Sequence, residues 1–193
     1  MCRIVALVGS ILSGLILAGC LPVTSTVPLG STVPATADPQ LTGMWKGNVG
    51  TAAAFMAFYP AGEGVWRIVV LATPAAKDEG GWMVFEARAA RLGDNTYLDA
   101  REIEDSGKAP DAKLSHMPVL YSLGADGSLA LSLIDEAAAR TAIRKGAIAG
   151  TVEPGEFGDV AITADAAKLD AFFASDGGRA LFVKPLATLK RAD

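Results

Sequence analysis

From residue 41 onward, apolar and polar side chains alternate in short runs punctuated by glycine, the period-2 pattern of strands with one buried face. Residues 41–49 predict a first strand, with Gly43 and Gly47 marking a bend or a close approach. Residues 53–59 and 65–71 flank Pro60-Ala-Gly-Glu-Gly64 and predict a hairpin with a longer turn. Residues 82–92 and 96–103 flank Gly93-Asp94-Asn95, a three-residue hairpin turn. Residues 117–123 and 128–134 flank Gly124-Ala-Asp-Gly127. In this last pair Met117, Val119, Tyr121 and Leu123 fall on one face, and Leu129, Leu131 and Leu133 on the facing one, so the hairpin has a clear buried side.

The period changes twice late in the chain. Asp135 is placed to cap a helix that carries Glu136 in its first turn and Arg140, Arg144 and Lys145 toward its end, with Gly146 beyond. A second helix is predicted to start near Thr163, with Asp165 in its first turn. It sets Ala166, Leu169, Phe172 and Phe173 on one face and ends at Gly177-Gly178; its stripe is expected to cover a hydrophobic opening or a sheet edge. Residues 180–183 and 186–189 predict a final strand broken or bent at Pro185. About eight strands in a meander, with two short helices, argue for a mainly β domain over residues 41–193. Its expected architecture is an antiparallel, closed or nearly closed β-barrel, since closure removes exposed edges.

The first forty residues follow a different rule. MCRIVALVGSILSGLILAGC has one early charge at Arg3, an apolar run over 4–18, then small residues before Cys20, the order of a secretory leader. The run of about 15 residues is short of the roughly 20 that span a bilayer as a helix. Leu17-Ala18-Gly19-Cys20 resembles the lipobox of bacterial lipoproteins. That resemblance implies a signal peptide over 1–19, cleavage before Cys20, and a diacylglycerol thioether with a further acyl chain such as palmitate on Cys20. Leu21 after the cysteine is similar to the sorting signal for the outer membrane, so the expected location is the cell envelope, facing the periplasm or the surface. Residues 20–40 carry Pro22, Pro28, Pro34 and Pro39 among Thr, Ser, Val and Ala, which predicts an extended, solvated tether with a reach of about 60 Å.

Composition narrows the function classes. The chain is 51% hydrophobic and 20% charged, as a globular domain is, with a formal net charge of -4 that becomes one unit more negative when Arg3 leaves with the leader. An acidic domain without a basic stripe does not suit nucleic acid. The two cysteines are Cys2 and Cys20, so beyond the leader and the lipidation position there is no thiol for a disulfide, a nucleophile or a metal. Neither a cofactor loop nor a metal-ligand spacing is present, and no catalytic set is assigned.

Gly43-Met-Trp45 resembles the glycine and tryptophan opening of lipocalin-like barrels, which implies a barrel enclosing a pocket. The chain over about 41–183 is also similar to a group of uncharacterised bacterial proteins. The likeness lies in Leu41, Gly43 and Trp45, in Tyr97-Leu98-Asp99, in His116, in Thr163-Ala164 leading to Leu169, Phe172 and Phe173, and in Ala180-Leu181-Phe182; it implies no activity. The aromatic residues Trp45, Phe55, Phe85 and Tyr121 are the candidate pocket lining, and Ala53, Ala57, Ala87, Ala89 and Ala100 are expected to face inward and leave volume. His116 is read as a strand-entry residue bonded to a neighbouring loop, and Glu86 and Arg88 as facing water beside Trp82 and Val84. Two classes of function follow: a membrane-anchored binding module for a small apolar molecule or an envelope protein, or an assembly accessory of the outer membrane. A hydrolase acting on envelope material through Asp99, Glu102 and His116 is a third reading.

Overall fold

The structure, a computed structural model, describes residues 22–35, 38–49, 52–72, 81–105, 107, 115–155 and 158–192. A short strand, β1 (Thr24–Ser25), is followed by seven strands in meander order: β2 (Gly43–Val49), β3 (Ala52–Gly62), β4 (Val65–Ala72), β5 (Gly81–Leu92), β6 (Asn95–Asp105), β7 (Met117–Leu123) and β8 (Leu129–Leu133). The chain then leaves the barrel for α1 (Glu136–Arg144), β9 (Gly150–Val152), β10 (Val160–Ile162), α2 (Ala166–Phe173) and α3 (Asp176–Arg179). It returns as β11 (Ala187–Arg191), which pairs antiparallel with both β8 and β2 and closes an eight-stranded barrel. The mainly β, closed barrel read from the alternation is the fold observed. Two turns are tighter than expected. β3 continues through Pro60 to Gly62 with a register shift between Pro60 and Gly62, where the proline's missing N–H is tolerated, and Asn95 belongs to β6.

Alternate side chains point inward. Trp45, Met56, Phe58, Trp66, Ile68, Val70, Ala87, Ala89, Leu98, Ala100, Val119, Tyr121, Leu129, Leu131, Ala187 and Leu189 form one buried cluster with Leu41. One end of the barrel is stoppered. A 3-10 turn over Pro39–Leu41, capped by the Asp38 side chain, seats the fully buried Leu41 beneath Trp45, whose indole Nε1 donates to the Leu41 carbonyl at 2.9 Å. Arg191 donates to the carbonyls of Thr42 at 2.6 Å and Gln40 at 2.5 Å, and its guanidinium lies 4.5 Å from the centre of the Trp45 ring, a cation–π contact that ties the last strand to the first turn. Gly43 is required here: its φ is +120°, and a Cβ would sit 2.8 Å from the Arg191 guanidinium. These contacts start the first barrel strand at Gly43 rather than at Leu41.

A second core lies on the outside. Leu92, Tyr97 and Leu120 face outward from β5, β6 and β7 and meet Ile134, Ile148, Val160, Ile162, Leu169, Phe173, Leu181 and Phe182 of the excursion between β8 and β11. Asp135 caps α1 by accepting from the Ala138 N–H at 2.9 Å, and Asp165 caps α2 through Lys168 N–H, so α2 starts at Ala166 rather than near Thr163. The stripe of α2 covers this outer wall, not the barrel opening. Residues 180–183 are not strand: Leu181 and Phe182 close turns on Gly178 and Arg179 and bury in the outer core, where Phe182 meets Tyr97 at 5.6 Å between ring centres. β9 and β10, three residues each, join β1 in a small sheet that the hydrophobic pattern does not announce.

The solvated tether is a correction. Residues 22–35 lie against the barrel as a strap: β1 runs parallel to β10, Val23 and Leu29 are buried, and Leu29 is fully so. Asp170 of α2, itself buried, accepts from Gly30 N–H at 2.6 Å, Thr32 N–H at 3.0 Å and the Thr32 hydroxyl at 2.5 Å. Arg88 donates to the carbonyls of Gly30 and Val33. It therefore faces the strap, while Glu86 alone stays at the surface with Arg67 and Arg101. Gly30 has φ +74° and a Cβ there would lie 2.2 Å from the Ala90 Cβ, so only glycine lets the strap approach so closely. Prolines bar a long strand, but side chains from distant elements supply the bonds the strap needs.

The outer core sets an alkaline limit. The Tyr97 hydroxyl donates to the Phe173 carbonyl at 2.9 Å, and burial pushes this phenol from its ordinary 10.0 up to about 12, with Arg179 pulling it partly back. Below pH 10 both states keep the proton. Between pH 10 and 12 the unfolded chain ionises and the native one does not, so stability is lost as pH rises, on the order of 2 kcal/mol for this group. Chemical denaturation across pH 9–12 is expected to show this loss, and Tyr97→Phe to reduce it by the part this phenol contributes.

Candidate functional site

The end of the barrel opposite the stopper is hollow. A cavity of about 230 Å³ opens there, walled by Met56 and Phe58 of β3, Ile68 and Val70 of β4, Met83 and Phe85 of β5, Leu98 and Ala100 of β6, Met117 and Val119 of β7, and Leu131 and Leu133 of β8. Val49, Leu186 and Pro22 add to the lining, and among the described residues no charged or polar side chain contributes to it. For scale, a dry apolar cavity of about 150 Å³ admits a benzene-sized molecule. Three of the lining residues are methionines, whose unbranched, polarisable side chains re-pack around guests of different shape. Ala100 provides room in the middle of the wall, level with Ala87 on β5 and Met117 on β7.

The four expected lining aromatics separate. Phe85 is in the cavity wall. Trp45 and Tyr121 point inward but belong to the stopper; the Tyr121 hydroxyl donates to Asp38 at 3.2 Å, and burial, followed by the Asp38 carboxylate, pushes its phenol up to about 12. Phe55 is a correction: it faces outward, 39% exposed, because in the register of β2 and β3 its neighbours Ala54 and Met56 take the inward positions. Ala53 and Ala57 share its outward parity, whereas Ala87, Ala89 and Ala100 point in as expected. Residues 53–59 are apolar on both faces, so alternation alone gives no parity there. The missed lining residues Met56 and Phe58 could have been assigned from their partners Trp45 and Gly43 across the ladder. One step from Ile68 toward the stopper, the Trp66 indole Nε1 is buried without a partner among the described residues.

The chemistry-bearing pair lies elsewhere, under the strap. His116 precedes β7, and its backbone exchanges hydrogen bonds with Ser25, at 2.7 and 3.1 Å. Its Nδ1 is 2.7 Å from Asp99 Oδ2, and Asp99 Oδ1 accepts from the Leu29 N–H at 3.0 Å. Burial raises the Asp99 carboxyl above its ordinary range, opposed by the Leu29 N–H, by His116 and by Arg88. Oδ1 thus holds the strap directly, while Oδ2 fixes His116, whose backbone pairs with Ser25 of the strap. The Ser25 hydroxyl donates to the Val27 carbonyl at 2.7 Å, which leaves its proton engaged away from the imidazole. Glu102 faces inward at the rim, opposite Phe85 in register, its carboxyl raised by burial and then by Asp105. Among the described residues, no three metal-binding side chains come together.

Leu17, Ala18, Gly19 and Cys20 lie outside the described residues. Comparison with known proteins gives no matching family model, no matching curated protein and no matching solved structure. The site is, among the described residues, a recess with apolar walls at the end of the barrel opposite the stopper.

Proposed function

We propose that this protein is a lipid-anchored module of the bacterial cell envelope that holds a small apolar molecule in its barrel. The cavity wall carries the reading: an opening lined by apolar side chains offers dispersion contacts and water exclusion, and among the described residues its wall presents no group to bind a polar substrate or to catalyse. A guest of this kind is an acyl chain end or a compact ring. The anchor part of the reading rests on the lipobox-like Leu17-Ala18-Gly19-Cys20, and an envelope location gives an apolar guest a source.

Titrating the full mature chain with a dansylated fatty acid tests the first part. Saturable emission at one probe per chain, reversed by unlabelled fatty acid, is expected; a linear, unsaturable response would contradict it. Cys20→Ser tests the second, and is expected to move the protein from the detergent phase to the aqueous phase on partitioning.

A further inference from the structure

Exposed apolar side chains are informative when they are contiguous and when the chain itself says what lies next to them. On the outside of β3, β4 and β5, the register places Phe55 opposite Leu71 and Leu71 opposite Trp82, so the three form one cross-strand row. They are 39%, 45% and 36% exposed. The row lies near the hollow end, because β4 finishes and β5 begins just beyond it, at Ala72 and Gly81, and the stopper is at the other end of the same strands. Leu186, 39% exposed, stands at the same mouth, as does the exposed Pro22. Pro22 fixes where the rest of the chain departs. Cys20 is two residues before it in sequence, a length of chain that reaches about 7 Å at most. Because the strap is bonded to Asp99, Asp170 and Arg88, no long tether lets the barrel turn away from its anchor.

We infer that the hollow end of the barrel rests on the lipid surface, with Phe55, Leu71 and Trp82 in the headgroup region and the cavity mouth opening onto the bilayer, so that the guest is an acyl chain that enters from the membrane without crossing water. The inference rests on the reading of Cys20 as a lipid anchor. The side chains suit the place: an indole combines a large apolar body with one N–H donor, which favours the membrane–water boundary. Among the described residues at this end, Glu102, Glu104 and Asp105 on β6 outnumber Lys46, which stands opposite Phe55 on β2, and so disfavour anionic lipid; the surface it fits is one of zwitterionic phospholipid.

The test uses the full chain made with its leader and reconstituted in phosphatidylcholine vesicles, with a spin label on Leu71→Cys, on Phe55→Cys, or on Tyr59→Cys. Tyr59 also faces outward on β3 but toward the stoppered end, opposite Arg67, and is 52% exposed. The labels at 55 and 71 are expected to collide several-fold more with oxygen, and several-fold less with a water-soluble nickel chelate, than the label at 59. Equal nickel access at all three positions overturns the inference. So does shielding at 55 and 71 that persists when vesicles are omitted, since a protein contact would then cover the row. The mass of the N-terminal peptide decides the anchor separately: absence of fatty acid on Cys20 refutes the lipoprotein reading, while the label contrast still decides which end meets lipid.

Discussion

Ala100→Trp is expected to abolish uptake of apolar ligand while the barrel stays folded. Ala100 is 3% exposed in the middle of the cavity wall, between Ala87 and Met117 across the ladder, so an indole there projects into the space a guest would occupy. Overpacking a filled core costs about 1–3 kcal/mol, but here the added side chain meets a void, and cavity filling commonly offsets or exceeds the strain. The melting temperature is therefore expected to move by no more than a few degrees. Affinity for a fatty-acid probe is expected to fall at least about tenfold, the equivalent of 1.4 kcal/mol. Phe55→Ala, which alters the outer row and leaves the wall intact, is expected to leave probe affinity in solution unchanged. Unchanged affinity in the Ala100→Trp variant would place the guest somewhere other than the barrel.

Cutting the strap is expected to destabilise a different part of the molecule. Leu29 is fully buried in the outer core, and Leu29→Ala removes its packing and leaves a cavity, a loss of about 3 kcal/mol. Asp170→Ala strips the partners from Gly30 N–H, Thr32 N–H and the Thr32 hydroxyl at once, and the buried Gly30 amide left behind makes this variant about as costly. The strap's bonds run to β6, β5, β10, α2 and His116 just before β7, whereas the barrel ladders from β2 to β8 do not use them. Hydrogen exchange is thus expected to accelerate over residues 22–35 and in β10, with the amides of β3 to β6 still protected. Uniform acceleration through the barrel would show instead that strap and barrel unfold as one unit.

The barrel was legible where one face of a strand is apolar and the other is not. The hairpin of β7 and β8, with Val119, Tyr121, Leu129 and Leu131 inside, follows directly from alternation, and α1 follows from Asp135 at its start and Gly146 past its end. The candidate site was half legible, because residues 53–59 are apolar at every position and only cross-strand pairing with Trp45 sends Met56 inward and Phe55 out. The outer core escaped for a related reason. Leu92, Tyr97 and Leu120 occupy outward parity, and although the stripe of α2 signals that the helix covers something apolar, periodicity within each strand does not pair it with these residues. The strap was hidden by its prolines. They do prevent a long strand, but Asp99, Asp170 and Arg88, 70, 140 and 58 residues away in sequence, anchor its backbone one group at a time. Such long-range bonds from single side chains have no periodicity to detect.

A barrel that carries an apolar guest should be found with it. Native mass spectrometry of the intact protein, purified from the organism that encodes it and sprayed from a mild detergent, is expected to show one small apolar molecule per chain in the wild type and none in Ala100→Trp. Two bare masses, with no added molecule on either protein, would contradict the assignment of this cavity as a binding site.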